Sequence, residues 1–290
     1  MISVPAAIQQ IAACRTSWGK STLSLSDSEG LVLAEPIAYT SLENGHSLPS
    51  FPTGTQLSSR HLAAINQAEI LQVPVFTPPS VVFIGLTEGE GPKIPQTNKF
   101  TVEGALANYG IRLREAKFPA AGSPGLLKAV ETSLDADLLI LCGNILPKIF
   151  LDAGVEPVFN RVKAHPCQAF WFGYSPTKTR VMLMPSNPFA VQVATRLFLE
   201  SYIRACWSMK TIRPWLLPYA EHRTPVVPQD EYVPAVTVHR NGLKIRATSF
   251  SAQTDIGLAA QADGFICHSI DNGSLEPSSL VPFYPWNDPS

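Results

Sequence analysis

Charge is what this chain has least of. Asp, Glu, Lys and Arg make up 16% of its 290 residues, against roughly a quarter in an average globular domain. With 22 basic and 23 acidic residues the formal net charge is -1, so no basic field exists to hold nucleic acid or an anionic lipid surface. The five cysteines, Cys14, Cys142, Cys167, Cys206 and Cys267, are scattered. They lack both metal-site spacing and an even disulfide count, and read as reduced, mostly buried thiols of a cytosolic protein. No stretch approaches the ~18 consecutive apolar residues of a membrane-spanning helix, and no charged-then-apolar leader opens the chain. Repeats and low-complexity tracts are missing too. A soluble cytoplasmic protein is the expectation, with no nucleic-acid and no membrane partner.

What is present is enough apolar material to fold, 45% of residues, punctuated by 26 prolines. The strongest pattern runs from Ser80 to Met209. Val81 to Leu86 is an unbroken apolar run, followed by the polar loop Thr87-Glu88-Gly89-Glu90-Gly91 and a helix-like segment that opens near Asn98. Leu138 to Cys142 leads in the same way into Gly143-Asn144. Val181 to Met184 leads into Pro185-Ser186-Asn187-Pro188 and a helix to about Cys206. Strands apolar on both faces belong to parallel sheets covered by helices, and open sheets of this kind bind ligands at the carboxyl ends of their strands.

Between these lie a helix at 99–109, with Phe100, Leu106 and Tyr109 inward and Gly110 as its stop, and a half-exposed strand within 111–118. A helix from Ser123-Pro124 turns Leu126, Leu127, Val130 and Leu134 inward. Strands are expected at 159–162 and 169–172, and a hairpin turn at 174–179. Residues 1–79 hold two helices, capped by Ser3 and Ser58. They are too few and too broken for an independent core, which makes them an appendage on the next domain or on a second subunit. Residues 210–290 form a small β-rich domain, with strands at 235–239 and 243–249 joined by Asn241-Gly242, a helix or turn near 256–261, and a strand at 264–267.

The residues at the strand ends each admit a plain role and a chemical one. Glu90 is a solvated loop carboxylate or a ligand for a metal or substrate. Thr97 and Asn98 can touch a ligand, although capping a helix is the plainer role for Asn98. Gly143-Asn144 is a tight strand exit or a ligand contact, and Asn187 shapes either a turn or a ligand loop. His165 is a loop histidine or a partial cation near neutral pH. Cys142 and Cys167 read as core thiols, since no histidine and carboxylate partners are apparent for either.

In this order the pieces resemble the MoeA / gephyrin E-domain family, the molybdopterin molybdotransferases. Ile2-Ser3-Val4 with Ala7 is similar to that family's opening helix, and Leu31 to Ile37 to its G-R-V-L-A-E-D-I stretch. Gly54 to Leu57 and Val73 to Val75 are similar to its re-entry into the sheet domain. Thr87 to Gly91 stands in place of T-G-D-E-L, Thr97-Asn98 of D-S-N or D-T-N, Pro185 to Pro188 of P-G-N-P, and Ala259 to Gly264 of L-A-R-A-D-G. The resemblance implies an α/β fold: a three-layer α/β/α, MogA-like molybdopterin-binding domain at 80–209, a helical N-terminal appendage at 1–79, and a β-rich domain at 210–290. It implies a homodimer of molybdenum cofactor biosynthesis that binds molybdopterin or its adenylylated form for molybdate insertion with Mg²⁺. The implied substrate-binding set is Thr87, Glu90, Thr97, Asn98, Gly143, Asn144, His165, Pro185, Ser186 and Asn187, with Glu90 as the metal ligand.

The departures are as specific as the matches. Tyr39 to Pro52 replaces the family's aspartate-bearing P-F-D-x-S-A-M-D-G-Y-A segment, and the elongated second domain is missing. Gly89 stands at the aspartate of T-G-D-E-L, Cys142 to Leu146 shortens the G-G-V-S-V-G-x-x-D loop, and Gln168 stands at the second lysine of K-P-G-K-P. A molybdotransferase stripped of these groups loses transition-state charge stabilisation. The alternative is a catalytically silent member that binds or scaffolds.

Overall fold

The structure, a computed structural model, describes residues 1–38, 50–87, 93–239, 242–248 and 256–286. In the N-terminal part, Ser3 holds an extended backbone and its hydroxyl accepts from the Ala6 N–H, which starts α1 (Val4–Ala13). Strand β1 (Lys20–Ser24) follows, then α2 (Ser59–Gln67), where the Ser58 N–H donates to His61 Nδ1 at 3.1 Å. Strand β2 (Gln72–Phe76) pairs antiparallel with β1. The expected helical appendage therefore also carries a β-ladder. Short apolar runs broken by proline hid it from a periodicity reading. Contrary to the expectation of no core of its own, Leu25, Leu33, Ile37, Leu57, Ile65, Val73 and Val75 close a cluster within this part, while Val4, Ala7, Ile11, Trp18, Val32, Ala34 and Phe76 lie in the same core as one face of the central sheet.

That sheet is built from β3 (Val81–Gly85), β4 (Leu113–Lys117), β5 (Leu138–Cys142), β6 (Glu156–Asn160), β7 (Trp171–Tyr174) and β8 (Arg180–Met184). Their spatial order is β4-β3-β5-β8-β7-β6. The first four run parallel, and β7 and β6 add an antiparallel hairpin. Because side chains alternate across a strand, Val81, Phe83, Leu138, Ile140 and Met182 face one helical layer, and Val82, Ile84, Leu139, Leu141 and Val181 the other. Helix α3 (Lys93–Ala107) covers the first face. So does a long helix made of α6 (Pro188–Ala194), a π stretch (Thr195–Leu199) and α7 (Glu200–Cys206). Helices α4 (Pro124–Glu131) and α5 (Lys148–Asp152) cover the second.

The C-terminal part is a five-stranded antiparallel sheet of β9 (Trp215–Pro218), β10 (Glu231–His239), β11 (Leu243–Ala247), β12 (Gly264–His268) and β13 (Leu280–Pro285), in the order β11-β10-β12-β13-β9, with α8 (Ile256–Ala260). Strands β9 and β13 carry no clean alternation in sequence, and β10 begins four residues ahead of the expected start.

Some expectations fall. Helix α3 is already under way at Lys93, so Asn98 lies in its interior and is no N-cap. Phe100 points outward at 66% exposure, and Leu127 stands at the margin at 37%, while Val102, Leu106, Leu126 and Val130 carry the burial. The strand expected at 159–162 runs Glu156–Asn160, and that expected at 169–172 runs Trp171–Tyr174. Asn241 of the expected turn lies outside the described residues; Gly242 takes φ +104°, the left-handed range that favours glycine.

Two local features give measurable consequences. Gly104 is an exposed interior residue of α3, and a Cβ built on it meets nothing within 4 Å. Replacing it with alanine is expected to stabilise the fold by about 0.5–1 kcal/mol, read as a higher urea midpoint at unchanged m-value.

The second feature is His268, fully buried in β12. Its Nδ1 faces Arg223 Nη1, and its Nε2 lies 2.6 Å from the Gly273 carbonyl. A guanidinium can only donate. Nδ1 must therefore accept, and Nε2–H donates to Gly273. Arg223 also holds Glu231 at 2.5 Å, whose other oxygen accepts from the Val226 and Val227 N–H groups. Burial first, opposed by the Gly273 bond and reinforced by Arg223, pulls the His268 pKa below its usual 6.5. The unfolded chain then binds the proton more readily. This contribution is complete above pH 6.5 and is lost as pH falls from 6.5 through the lowered folded value, with a slope of at most about 1.4 kcal/mol per pH unit. Urea melts at several pH values should show this slope in the wild type and not in His268→Asn.

Candidate functional site

Connections leave the central sheet in two directions. From β3 the chain passes through α3 to β4 on one side; from β4 it passes through α4 to β5 on the other side of β3. Helices α3 and α4 lie on opposite faces. The strand order therefore reverses between β3 and β5, and in open α/β sheets the crevice outside the carboxyl ends at such a point is the ligand-binding place.

The residues at that rim are held by the strands behind them. The Leu86 N–H donates to the Cys142 carbonyl at 3.0 Å, and the Gly143 N–H to the Met184 carbonyl at 3.2 Å, which locks the exits of β3, β5 and β8 side by side. A Cβ on Gly143 would stand 2.5–2.8 Å from Leu86 Cδ1, Cγ and Cβ. Glycine is thus required for this close approach, whatever else the position does. Thr87 exchanges backbone bonds with Pro119 and Ala121, and its hydroxyl donates to the Pro119 carbonyl at 3.3 Å. Asn144 is exposed, Pro185 is buried, and Ser186 is half-buried. Asn187 caps α6, its Oδ1 accepting from the Ala190 N–H at 3.0 Å.

Asn98 joins the set across space. From the interior of α3, 1% exposed, it donates from Nδ2 to the Ser186 carbonyl at 2.8 Å. A carbonyl partner fixes the orientation of the amide, so Oδ1 is the free end. That oxygen is buried without a hydrogen-bond partner. An unsatisfied buried acceptor costs about 1–3 kcal/mol, and native structures keep few of them. Thr97, one residue earlier, turns its hydroxyl back onto the Lys93 carbonyl at 3.0 Å.

The loop after β6 reaches the same edge of the sheet but is tied elsewhere. The His165 N–H donates to the Asp230 carbonyl, and its own carbonyl accepts from the Tyr232 N–H, fastening the loop to the C-terminal sheet. His165 Nδ1 meets Gln168 Nε2 at 3.1 Å, and Cys167 Sγ contacts the Ala190 carbonyl at 3.4 Å. So Asn98, Ser186, Asn187, Pro185, Gly143 and Thr87 gather around the exits of neighbouring strands, whereas His165 serves the junction between the two sheets. Burial drives the Cys142 and Cys167 thiols well above their ordinary pKa. All five cysteines are free, and these two are core thiols.

Glu88 and Glu90, the expected carboxylates, lie outside the described residues. Mg²⁺ asks for hard oxygen ligands, usually one or two carboxylates. The described rim offers hydroxyl, amide and carbonyl oxygens, and no three His, Cys, Asp or Glu side chains among the described residues are placed to hold a metal ion. By themselves the described residues do not fit a magnesium site.

Sequence reasoning missed a buried polar group on the same helical layer. Arg196 Nη1 holds Glu200 Oε2 at 2.5 Å, with the two side chains 4% and 8% exposed. The Tyr109 hydroxyl donates to the same oxygen at 2.9 Å, and Arg204 Nε donates to Tyr109 at 2.9 Å. Burial, offset by Arg196 and Tyr109, lifts the Glu200 pKa. The signal in sequence was Arg196 and Glu200, four apart in a largely apolar helix, with Arg204 one turn further on.

The fold and rim define an α/β protein with polar strand exits gathered at a topological switch point. No protein-family model and no curated protein matches the sequence. Solved structures do match. A molybdenum cofactor biosynthesis protein from Pyrococcus furiosus superposes with TM-score 0.77 at 18% identity, over 98% of this chain and 100% of its own. Two structures of the molybdopterin biosynthesis MoeA protein from Pyrococcus horikoshii superpose at 0.76 and 0.77 with 13% identity, over 98–99% of this chain and 99–100% of theirs. The chain thus shares the fold of MoeA proteins along nearly its whole length. No helix among the described residues is long and apolar enough to cross a membrane.

Proposed function

We propose that this chain is a divergent MoeA-like protein of molybdenum cofactor biosynthesis, which takes molybdopterin or its adenylylated form at the rim between β3, β5 and β8. The fold shared with MoeA proteins supports the reading. The observation that carries it is Asn98: an amide pinned to Ser186, with its oxygen buried and waiting for a donor, beside the switch point. A pterin edge supplies N–H donors to such an acceptor. Residues 80–209 are the MogA-like binding domain, 1–79 the appendage and 210–290 the β-rich domain, working as a homodimer. Titration with molybdopterin should raise the melting temperature through binding to the native state alone. Asn98→Ala should weaken binding by about five- to 150-fold, the equivalent of one lost hydrogen bond to a buried partner. No shift with saturating ligand would sink the reading.

A second reading has its own support. Gln168, at the family's second lysine, is an amide spent on His165. This favours a member that binds the cofactor without inserting molybdate. Binding with no molybdate transfer in the presence of Mg²⁺ would select it; transfer would exclude it.

A further inference from the structure

The chain between β9 and β10 includes a short stretch, 224–229, in which no residue is buried. Pro225 and Pro228 within it have no N–H to give to a ladder. Among the described residues two ties hold it. At its start Arg223, its side chain 14% exposed, sets Nη1 against His268 Nδ1 and Nη2 on Glu231 Oε2. In its middle the Val226 and Val227 N–H groups donate to Glu231 Oε1, each at 2.8 Å. We propose that this stretch is an acid-released strap: protonation of His268 expels the Arg223 guanidinium and frees 224–229, while the C-terminal sheet stays folded.

Hydrogen-bond valence forces the expulsion. A guanidinium has donors alone, so it can sit against Nδ1 only while that nitrogen carries no proton. The other ring nitrogen already spends its N–H on the Gly273 carbonyl. An imidazolium donates at both nitrogens, and it would set a second cation against Arg223 inside the sheet. One guanidinium spans His268 and Glu231, so giving up the ring also moves the fork that grips the carboxylate. The two amide bonds to Glu231 must then hold the strap without an anchored side chain beside them. Two charged groups face the ring: Arg223, and Glu231, its partner in the ladder between β10 and β12. Glu231 favours the imidazolium, but Arg223 and two N–H groups already occupy both its oxygens. Cys267 and Tyr232 pair one residue along, on the opposite face of the sheet. Asp230 is fastened to Ser269 and Ile270, His222 lies more than half exposed against Glu276, and β13 carries no Asp, Glu, His, Lys or Arg. Opening lets water reach the ring, so the open form takes the proton first. The closed form is favoured above pH 6.5, and opening gains at most about tenfold per pH unit below it. None of these residues belongs to the rim, and the inference stands apart from the molybdopterin reading.

Amide hydrogen exchange of the full chain at pH 7.5 and 5.5, each rate divided by its intrinsic value, tests the strap. The Val226 and Val227 amides should exchange about three- to tenfold faster at pH 5.5. The ladder amides of β10 and β12 should still exchange at least about a hundredfold more slowly than these, as they open only with the sheet. His268→Asn keeps an acceptor for Arg223 and a donor for Gly273 without a titrating ring, and should abolish the pH response. Arg223→Met removes the pin and should give fast exchange of the strap at both pH values. The proposal is overturned by equal strap exchange at the two pH values in the wild type, by strap amides as slow as those ladder amides at pH 5.5, or by an undiminished pH response in His268→Asn. The first two outcomes need the wild type alone, so the test holds even where a variant fails to fold.

Discussion

Replacing Glu200 by alanine is expected to lower the unfolding free energy by about 3–5 kcal/mol, because it takes a buried carboxylate away from the buried guanidinium it faces. Arg196 sits beside it inside the helical layer, and Tyr109 directs its hydroxyl to the same carboxylate oxygen. The net worth of such a pair is small, since taking both charges from water offsets most of their attraction. Removing one partner is different: the charge that remains keeps its desolvation cost and loses the carboxylate that offset much of it. The test is a double-mutant cycle in urea. Glu200→Ala alone should show the full loss, whereas Arg196→Met with Glu200→Leu should recover most of it by apolar packing. A loss below about 1 kcal/mol for Glu200→Ala would mean that the pair is solvated, contrary to its burial.

The second large effect is expected at Trp207, 1% exposed at the end of α7. Its ring meets Trp18 edge-on at 5.7 Å, stacks on Phe76 at 6.1 Å, and lies 6.3 Å from Tyr109. Trp18 and Phe76 come from the N-terminal part, so this one side chain joins that part to the central sheet. Trp207→Ala should cost about 3–5 kcal/mol, as transfer and cavity terms add. Trp207→Phe, which keeps an aromatic ring between the two parts, should cost less. If the N-terminal part were independent, limited proteolysis of Trp207→Ala would release it intact with the sheet still folded. A single cooperative loss is the expected result.

The middle of the central sheet was legible because β3, β5 and β8 are buried on both faces. Val81 to Leu86, Leu138 to Cys142 and Val181 to Met184 must read as apolar runs, and each run ends where the polar rim begins. Helix starts were legible too, since Ser3 and Ser58 satisfy backbone donors with their own local chemistry. The β1–β2 ladder was less so, because its partners lie about fifty residues apart and proline interrupts β2. Asn98 illustrates the limit. Its residue type fits a cap, and only the position of α3 against the loop after β8 turns it into an interior amide aimed at Ser186.

By itself the sequence determined the local terms: which runs are apolar on both faces, where helices can start, how little charge is available, and the order of motifs that resembles one family. Tertiary structure alone decided which residues share an edge. The switch between β3 and β5, the pairing of Arg196 with Tyr109 through Glu200, and the merging of the N-terminal part into the main core all depend on contacts between distant segments. Periodicity reports the environment of a residue along its own helix or strand. It carries no information about which other element supplies that environment.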